Sequence, residues 1–141
     1  MSVGTAVAQA AEALVGTRYR LHGRAPETGL DCVGLVHAAL SRAELSPRAP
    51  AGYRLRSIDI EPLLAFAAMS GLRPAGGSTL PGDVLLVRPG PAQHHLHVAL
   101  APGASGGARF VHAHAGLRRV AIHHGPLGDP LLRHWRPQEQ E

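Results

Sequence analysis

The stretch Gly29-Leu30-Asp31-Cys32-Val33-Gly34-Leu35-Val36 sets an acidic residue and the chain's single cysteine at the head of an apolar segment. Asp31 has the short, oxygen-bearing side chain of a good N-cap. The run from Cys32 to Arg42 is rich in Leu, Val and Ala, with Cys32, Val36, Ala39 and Ala43 on one stripe. The spacing predicts a helix whose first turn carries Cys32 over a buried face. There the thiol meets roughly half a positive charge and several free N–H groups, which favours the thiolate and predicts a lowered pKa. A cysteine so placed is a candidate nucleophile. The commoner fate of a free cysteine is that of a small buried hydrophobe, and composition alone favours it.

Upstream of this helix, Val3, Val7, Ala10, Ala11 and Leu14 recur at helical spacing, so residues 3 to 15 read as an amphipathic helix ended by Gly16. Residues 17 to 30 contain Gly23, Pro26 and Gly29 without a period and read as a loop. Downstream, Pro47, Pro50 and Gly52 mark a second loop. Ser57 or Asp59 can then cap a helix through Leu63, Leu64, Ala67 and Ala68 to Gly71, with Pro62 in its first turn.

The pattern then changes. Pro81-Gly82-Asp83 is a turn signal ahead of the apolar run Val84-Leu85-Leu86-Val87, a predicted strand. Leu96, Val98 and Leu100 alternate with His95, His97 and Ala99, and Phe110-Val111-His112 follows a turn-rich segment, so residues 95 to 114 read as a hairpin. A third strand is expected over Arg119 to His123, and the residues after Pro137 are expected to be loose. Helices first and strands afterwards predict an α+β domain, with N-terminal helices packed on an antiparallel sheet.

The 141 residues fit one domain spanning 1–141, and 45% apolar against 17% charged residues can supply a core. No apolar run approaches the roughly 20 residues that cross a bilayer, and Met1-Ser2-Val3-Gly4 lacks the basic start of a signal peptide. Neither membrane insertion nor export by a leader is expected. One cysteine allows no internal disulfide and no zinc site that needs two thiolates. The net charge of +4 comes from scattered arginines, and aromatics are only 4%, so stacking platforms for nucleic acid are missing. Such a surface suits a polyanionic partner such as a cell-wall polymer.

Eight of the ten histidines lie between His94 and His134, in the strand-rich half. A thiol nucleophile needs an imidazole to take its proton and return it to the leaving group, with a third polar group to hold that ring. His97 and His112 flank one hairpin on adjacent strands. The pairs His94-His95 and His123-His124 point to opposite faces of a strand and make poor chelates. No metal or other cofactor is expected, and a histidine-rich metal protein stands as a third, weaker reading.

Four motifs, in order, carry a resemblance. Gly16-Thr17-Arg18-Tyr19-Arg20-Leu21-His22-Gly23-Arg24 with Gly29 to Val36, then Leu80-Pro81-Gly82-Asp83-Val84-Leu85-Leu86, then His97-Val98-Ala99-Leu100, then Arg109-Phe110-Val111-His112-Ala113 are similar to the motifs of the NlpC family of cell-wall cysteine peptidases. The resemblance covers about residues 12 to 124. It implies a papain-like fold and hydrolysis of amide bonds in peptidoglycan stem peptides, usually after a D-glutamyl residue. Carried onto this chain, it implies Cys32 as nucleophile, His97 as general base and acid, and His112 as the group that orients His97. His114 shares the strand parity of His112 and remains an alternative third residue. Tyr19 matches a tyrosine that helps form the oxyanion pocket or position substrate, and Asp31 matches an aspartate expected to contact substrate, beside its role as N-cap.

Val33 stands where many members of the family carry serine, and Gly103-Ala104-Ser105-Gly106-Gly107 makes the turn before Phe110 longer than the motif needs. The Asp-Cys-Val-Gly-Leu variant, the small size and the lack of a wall-binding repeat resemble peptidases encoded among tail genes of phages and gene transfer agents. That implies a virion tail component, made in the bacterial cytoplasm without a signal peptide, docked on tail hub or baseplate proteins and acting in the cell wall. A structural tail-tip protein that keeps the fold with a relict triad is the alternative.

Overall fold

Ser2 starts the first helix by accepting the N–H of Thr5 on its hydroxyl at 3.1 Å, and α1 runs Val3–Glu12. The computed structural model describes residues 1–48, 50 and 52–139. The helix stops short of the predicted residue 15, yet Leu14 stays in the core because its N–H still donates to Ala11. Gly16, at φ +94°, then turns the chain so that its N–H donates to the Val120 carbonyl at 2.9 Å.

The segment read as a plain loop closes a small antiparallel ribbon, β1 (Arg24–Ala25) with β2 (Gly29–Leu30). It lies directly against the next helix: a Cβ on Gly34 would stand 1.9 Å from the Gly23 carbonyl oxygen, so only glycine fits there. That helix, α2 (Cys32–Arg42), is buried at Cys32–Val36 and again at Ala38–Leu40. It is apolar around its circumference rather than along the single predicted stripe, as befits a central helix packed on α1 and on the sheet. In α3 (Glu61–Met69) the N-cap is Ile60 and no side chain caps it. The predicted caps serve the preceding turns: Ser57 accepts the N–H of Asp59, and Asp59 that of Glu61.

Six strands follow, β3 (Leu72–Pro74), β4 (Val84–Val87), β5 (His95–Ala99), β6 (Arg109–His114), β7 (Arg119–His124) and β8 (Leu131–Pro137). They form one antiparallel sheet in the order β3-β8-β4-β5-β6-β7. The predicted hairpin is present, and the long Gly103 to Gly107 turn closes on itself through the Gly103 N–H and Gly107 carbonyl at 2.8 Å. β3 and β8 were not foreseen. Pro137 closes β8 and the Gln138 N–H donates to Gly71, while residues 140 and 141 of the expected loose tail lie outside the described residues.

Alternation along the strands splits the sheet's side chains between two faces. Val84, Leu86, Leu96, Val98, Val111 and Ala113 join the three helices in the main core. Leu85, Ala99 and Phe110 make a small separate cluster with no helical member. His95 and His97 share the parity of Ala99, and His112 that of Phe110.

The aspartate of the Pro81-Gly82-Asp83 turn is wholly buried and locks β4 to β8. Its carboxylate accepts both Arg136 Nε at 2.8 Å and Arg136 Nη2 at 2.9 Å, the Leu80 N–H at 2.9 Å, and His134 Nε2 at 2.6 Å. Burial pushes this carboxyl up, but the Arg136, Leu80 and His134 hydrogen bonds together hold it below its ordinary value.

Candidate active site

Cys32 enters the site from the first turn of α2, as the sequence predicts. Asp31 caps that turn by accepting the Gly34 N–H on Oδ1 at 2.8 Å. Its Oδ2 accepts the His22 N–H at 2.8 Å and the Tyr53 hydroxyl. Tyr53 also receives His22 against its ring edge, centroids 4.6 Å apart, with His22 Nε2 2.7 Å from the Tyr53 carbonyl oxygen. A carboxylate with no exposed surface must have such partners. Asp31 therefore ties three segments together behind the cysteine, and it has no free face to offer a substrate. Tyr53 carried no sequence signal, since it sits in a Pro- and Gly-rich loop without a period.

The expectation of an acidified thiol is corrected by the structure. Cys32 is buried, and burial followed by the Asp31 charge pushes its thiol up to about 12. The backbone N–H groups of Leu96, Val33 and Cys32 itself pull the other way, and they are outweighed. Tyr19, half-buried, lies close enough for burial, Cys32 and Asp31 to push its phenol up to about 12 as well. At rest the cysteine is a neutral thiol.

A pocket of about 430 Å³ is lined by Cys32 and Tyr19 together with His95 and His97 of β5 and His112 of β6. The register Val98↔Val111 continues to set His97 opposite His112. Their rings stack, centroids 4.7 Å apart and 19° from parallel. Among the described residues His112, the expected orienting group, makes no hydrogen bond to His97: its Nδ1 lies 2.9 Å from His95 Nε2, and His97 Nδ1 is buried with no partner. His114 packs edge-on against His112, centroids 5.2 Å apart, and its Nδ1 accepts the Leu117 N–H at 3.0 Å in the following turn. Of the two candidates for the third position, His112 is the one against His97.

His95 was missed as a site residue although its signal was present, because it stands two residues before His97 and shares its face. All three rings are neutral. Burial, then the neighbouring histidines, push His97 down to about 2, His95 to about 3 and His112 to about 4. The cluster can accept a proton only when something stabilises the resulting imidazolium. No hydrogen bond joins Cys32 to His97 among the described residues, so the thiol and the base share a pocket without a preformed ion pair.

No family model and no curated protein matches the sequence. Solved structures do match. The NlpC/p60 domain of the peptidoglycan hydrolase SagA is similar at a TM-score of 0.55 and 21% identity, over 86% of this chain and 88% of that one. An N-acetylmuramoyl-L-alanine amidase from Bacteroides uniformis is similar at a TM-score of 0.62 and 13% identity, over 97% of this chain and 99% of that one. Three helices on a six-stranded antiparallel sheet, with a cysteine heading the central helix, thus give this chain an α+β fold of the NlpC/p60 type.

Proposed function

We propose that the protein is a cell-wall cysteine peptidase that hydrolyses amide bonds of peptidoglycan stem peptides, after the D-glutamyl residue. The observation that carries this reading is the meeting of Cys32, at the N-terminus of a buried helix, with His97 in one pocket. The peptidoglycan hydrolase and the amidase with the same fold support the substrate class.

His97 takes the thiol proton as Cys32 Sγ attacks the scissile carbonyl, and the N–H groups of Leu96, Val33 and Cys32 stabilise the charge on sulfur as it forms. The same imidazole then returns the proton to the leaving amine. Water, deprotonated by His97, cleaves the thioester and restores the thiol. His112 holds the His97 ring by stacking, and Tyr19 lines the wall beside the sulfur, where its hydroxyl can orient the substrate carbonyl. Because the resting pair is neutral, substrate must stabilise the imidazolium for the first step to run.

The tail-gene resemblance supports a place on a phage or gene-transfer-agent tail, held by hub or baseplate proteins and opening the wall locally. The second reading, a relict tail-tip protein, is favoured by the high thiol pKa and the low His97 pKa. Release of soluble fragments from purified sacculi separates the two: the wild type releases them and Cys32→Ala does not, whereas a relict protein releases none in either form.

A further inference from the structure

We propose that His95, His97 and His112 form a three-nitrogen site for a divalent transition-metal ion, for which Zn²⁺ is the fitting probe. One ring nitrogen from each of the three lies within 4.8 Å of the others. His95 Nε2 and His112 Nδ1 are already 2.9 Å apart, and His97 is buried with its Nδ1 unpartnered. Tetrahedral Zn²⁺ with Zn–N bonds of about 2.0–2.1 Å sets its ligand nitrogens about 3.3 Å apart, so binding turns the stacked His97 and His112 rings out of parallel until their nitrogens converge with that of His95.

Adjacent histidines in a strand point to opposite faces and chelate poorly. His95 and His97 are two apart on β5, so they share a face, and the strand register brings His112 of β6 to the same place. A set of imidazoles without a carboxylate suits Zn²⁺, Co²⁺, Ni²⁺ or Cu²⁺ and disfavours Mg²⁺ and Ca²⁺, which want oxygen. The pocket in front leaves space for water as a further ligand. On binding, the proton shared between His95 Nε2 and His112 Nδ1 moves to the far nitrogen of the ring that carried it, and both lone pairs become available to the ion.

An ion held here occupies His97, so Zn²⁺ switches off proton transfer from Cys32 in a way that a chelator reverses. This inhibition rests on the peptidase reading; the binding does not.

Chelator-stripped protein, loaded with Zn²⁺ and dialysed, is expected to retain about one ion per chain by elemental analysis in the wild type, in Cys32→Ser and in the surface control His124→Gln. His95→Gln and His112→Gln are expected to bind at least roughly tenfold more weakly. Long-range proton–nitrogen spectra of the wild type, which need no variant to fold, are expected to show ring-nitrogen shifts at His95, His97 and His112 as Zn²⁺ is added. Retention well below one ion, equal binding by His95→Gln, loss of binding in Cys32→Ser, or shifts confined to other histidines would each overturn the site. Saturating Zn²⁺ is expected to slow sacculus hydrolysis at least tenfold, with recovery on chelation, and unchanged hydrolysis would contradict occupancy of His97. Absence of hydrolysis in metal-free protein would count against the peptidase reading, while the binding result stands.

Discussion

His112 lies face to face with His97 at a centroid separation of 4.7 Å, and its Nδ1 shares a hydrogen bond with His95 Nε2 instead. The third member of the proposed triad therefore restrains the base by ring contact. His112→Ala is expected to lower turnover by a factor on the order of 10 to 10⁴ with KM little changed. His112→Phe keeps a flat ring and is expected to retain more activity than His112→Ala, and His114→Ala to stay near wild type. Steady-state kinetics on a soluble stem peptide check all three, and equal loss in the Phe and Ala variants would mean that a polar atom of His112 is what matters.

The resting thiol is expected to be slow toward iodoacetamide. With Cys32 pushed up to about 12, its labelling at pH 7 should run at least roughly tenfold slower than that of a free cysteine and rise without an inflection near pH 6 to 7. His97→Ala is expected to abolish turnover yet leave this profile in place, because a neutral imidazole lends no charge to the sulfur. An inflection near pH 6 to 7 that disappears in His97→Ala would show an ion pair at rest.

Tyr53→Phe removes one donor from the buried Asp31 carboxylate and is expected to cost about 1–3 kcal/mol in chemical denaturation. Asp31→Ala loses the cap to Gly34 and the contacts with His22 and Tyr53, and is expected to cost more than Tyr53→Phe. A Tyr53→Phe protein as stable as the wild type would remove the case for Asp31 as the knot behind Cys32.

Acid is expected to destabilise the fold in two stages. His95, His97 and His112 have folded pKa values below the unfolded histidine value, so below about pH 6.5 the unfolded chain binds protons that the folded chain does not. Their contribution is complete above that pH and is lost as pH falls toward their folded values. Asp83, also held below its ordinary value, keeps its contribution above the unfolded carboxylate range and loses it at lower pH. Thermal melts from pH 8 to 3 should show Tm falling first below pH 6.5, and His97→Gln should flatten that first slope. Asp83→Asn is expected to cost roughly 2–3 kcal/mol at pH 7 by breaking its bidentate pair with Arg136.

What was legible in the sequence follows from periodicity. The cap at Asp31, the helix after it, the strand after Pro81-Gly82-Asp83 and the hairpin carrying His97 and His112 all have local patterns, and each stands where it was read. β8 has none, because Arg133, His134 and Arg136 interrupt its apolar residues. Their reason for being there is Asp83, some fifty residues earlier. Tyr53 meets Asp31 across a gap of 22 residues. The Cys32 shift runs opposite to the helix-terminus effect because burial, a tertiary feature that no local pattern reports, is the largest cause, and the charge of the adjacent Asp31 adds to it. The link of His112 to His95 rather than His97 depends on ring rotations that parity does not fix.

The central claim is that Cys32 opens stem-peptide amides. Its most direct test is mass spectrometry of muropeptides from sacculi digested in ¹⁸O-enriched water. The wild type is predicted to yield fragments with new carboxyl and amino termini, the label in the carboxyl after D-glutamate, and Cys32→Ala, folded by circular dichroism, to yield none. Labelled fragments of equal abundance from Cys32→Ala, or none from active-condition wild type, would contradict it.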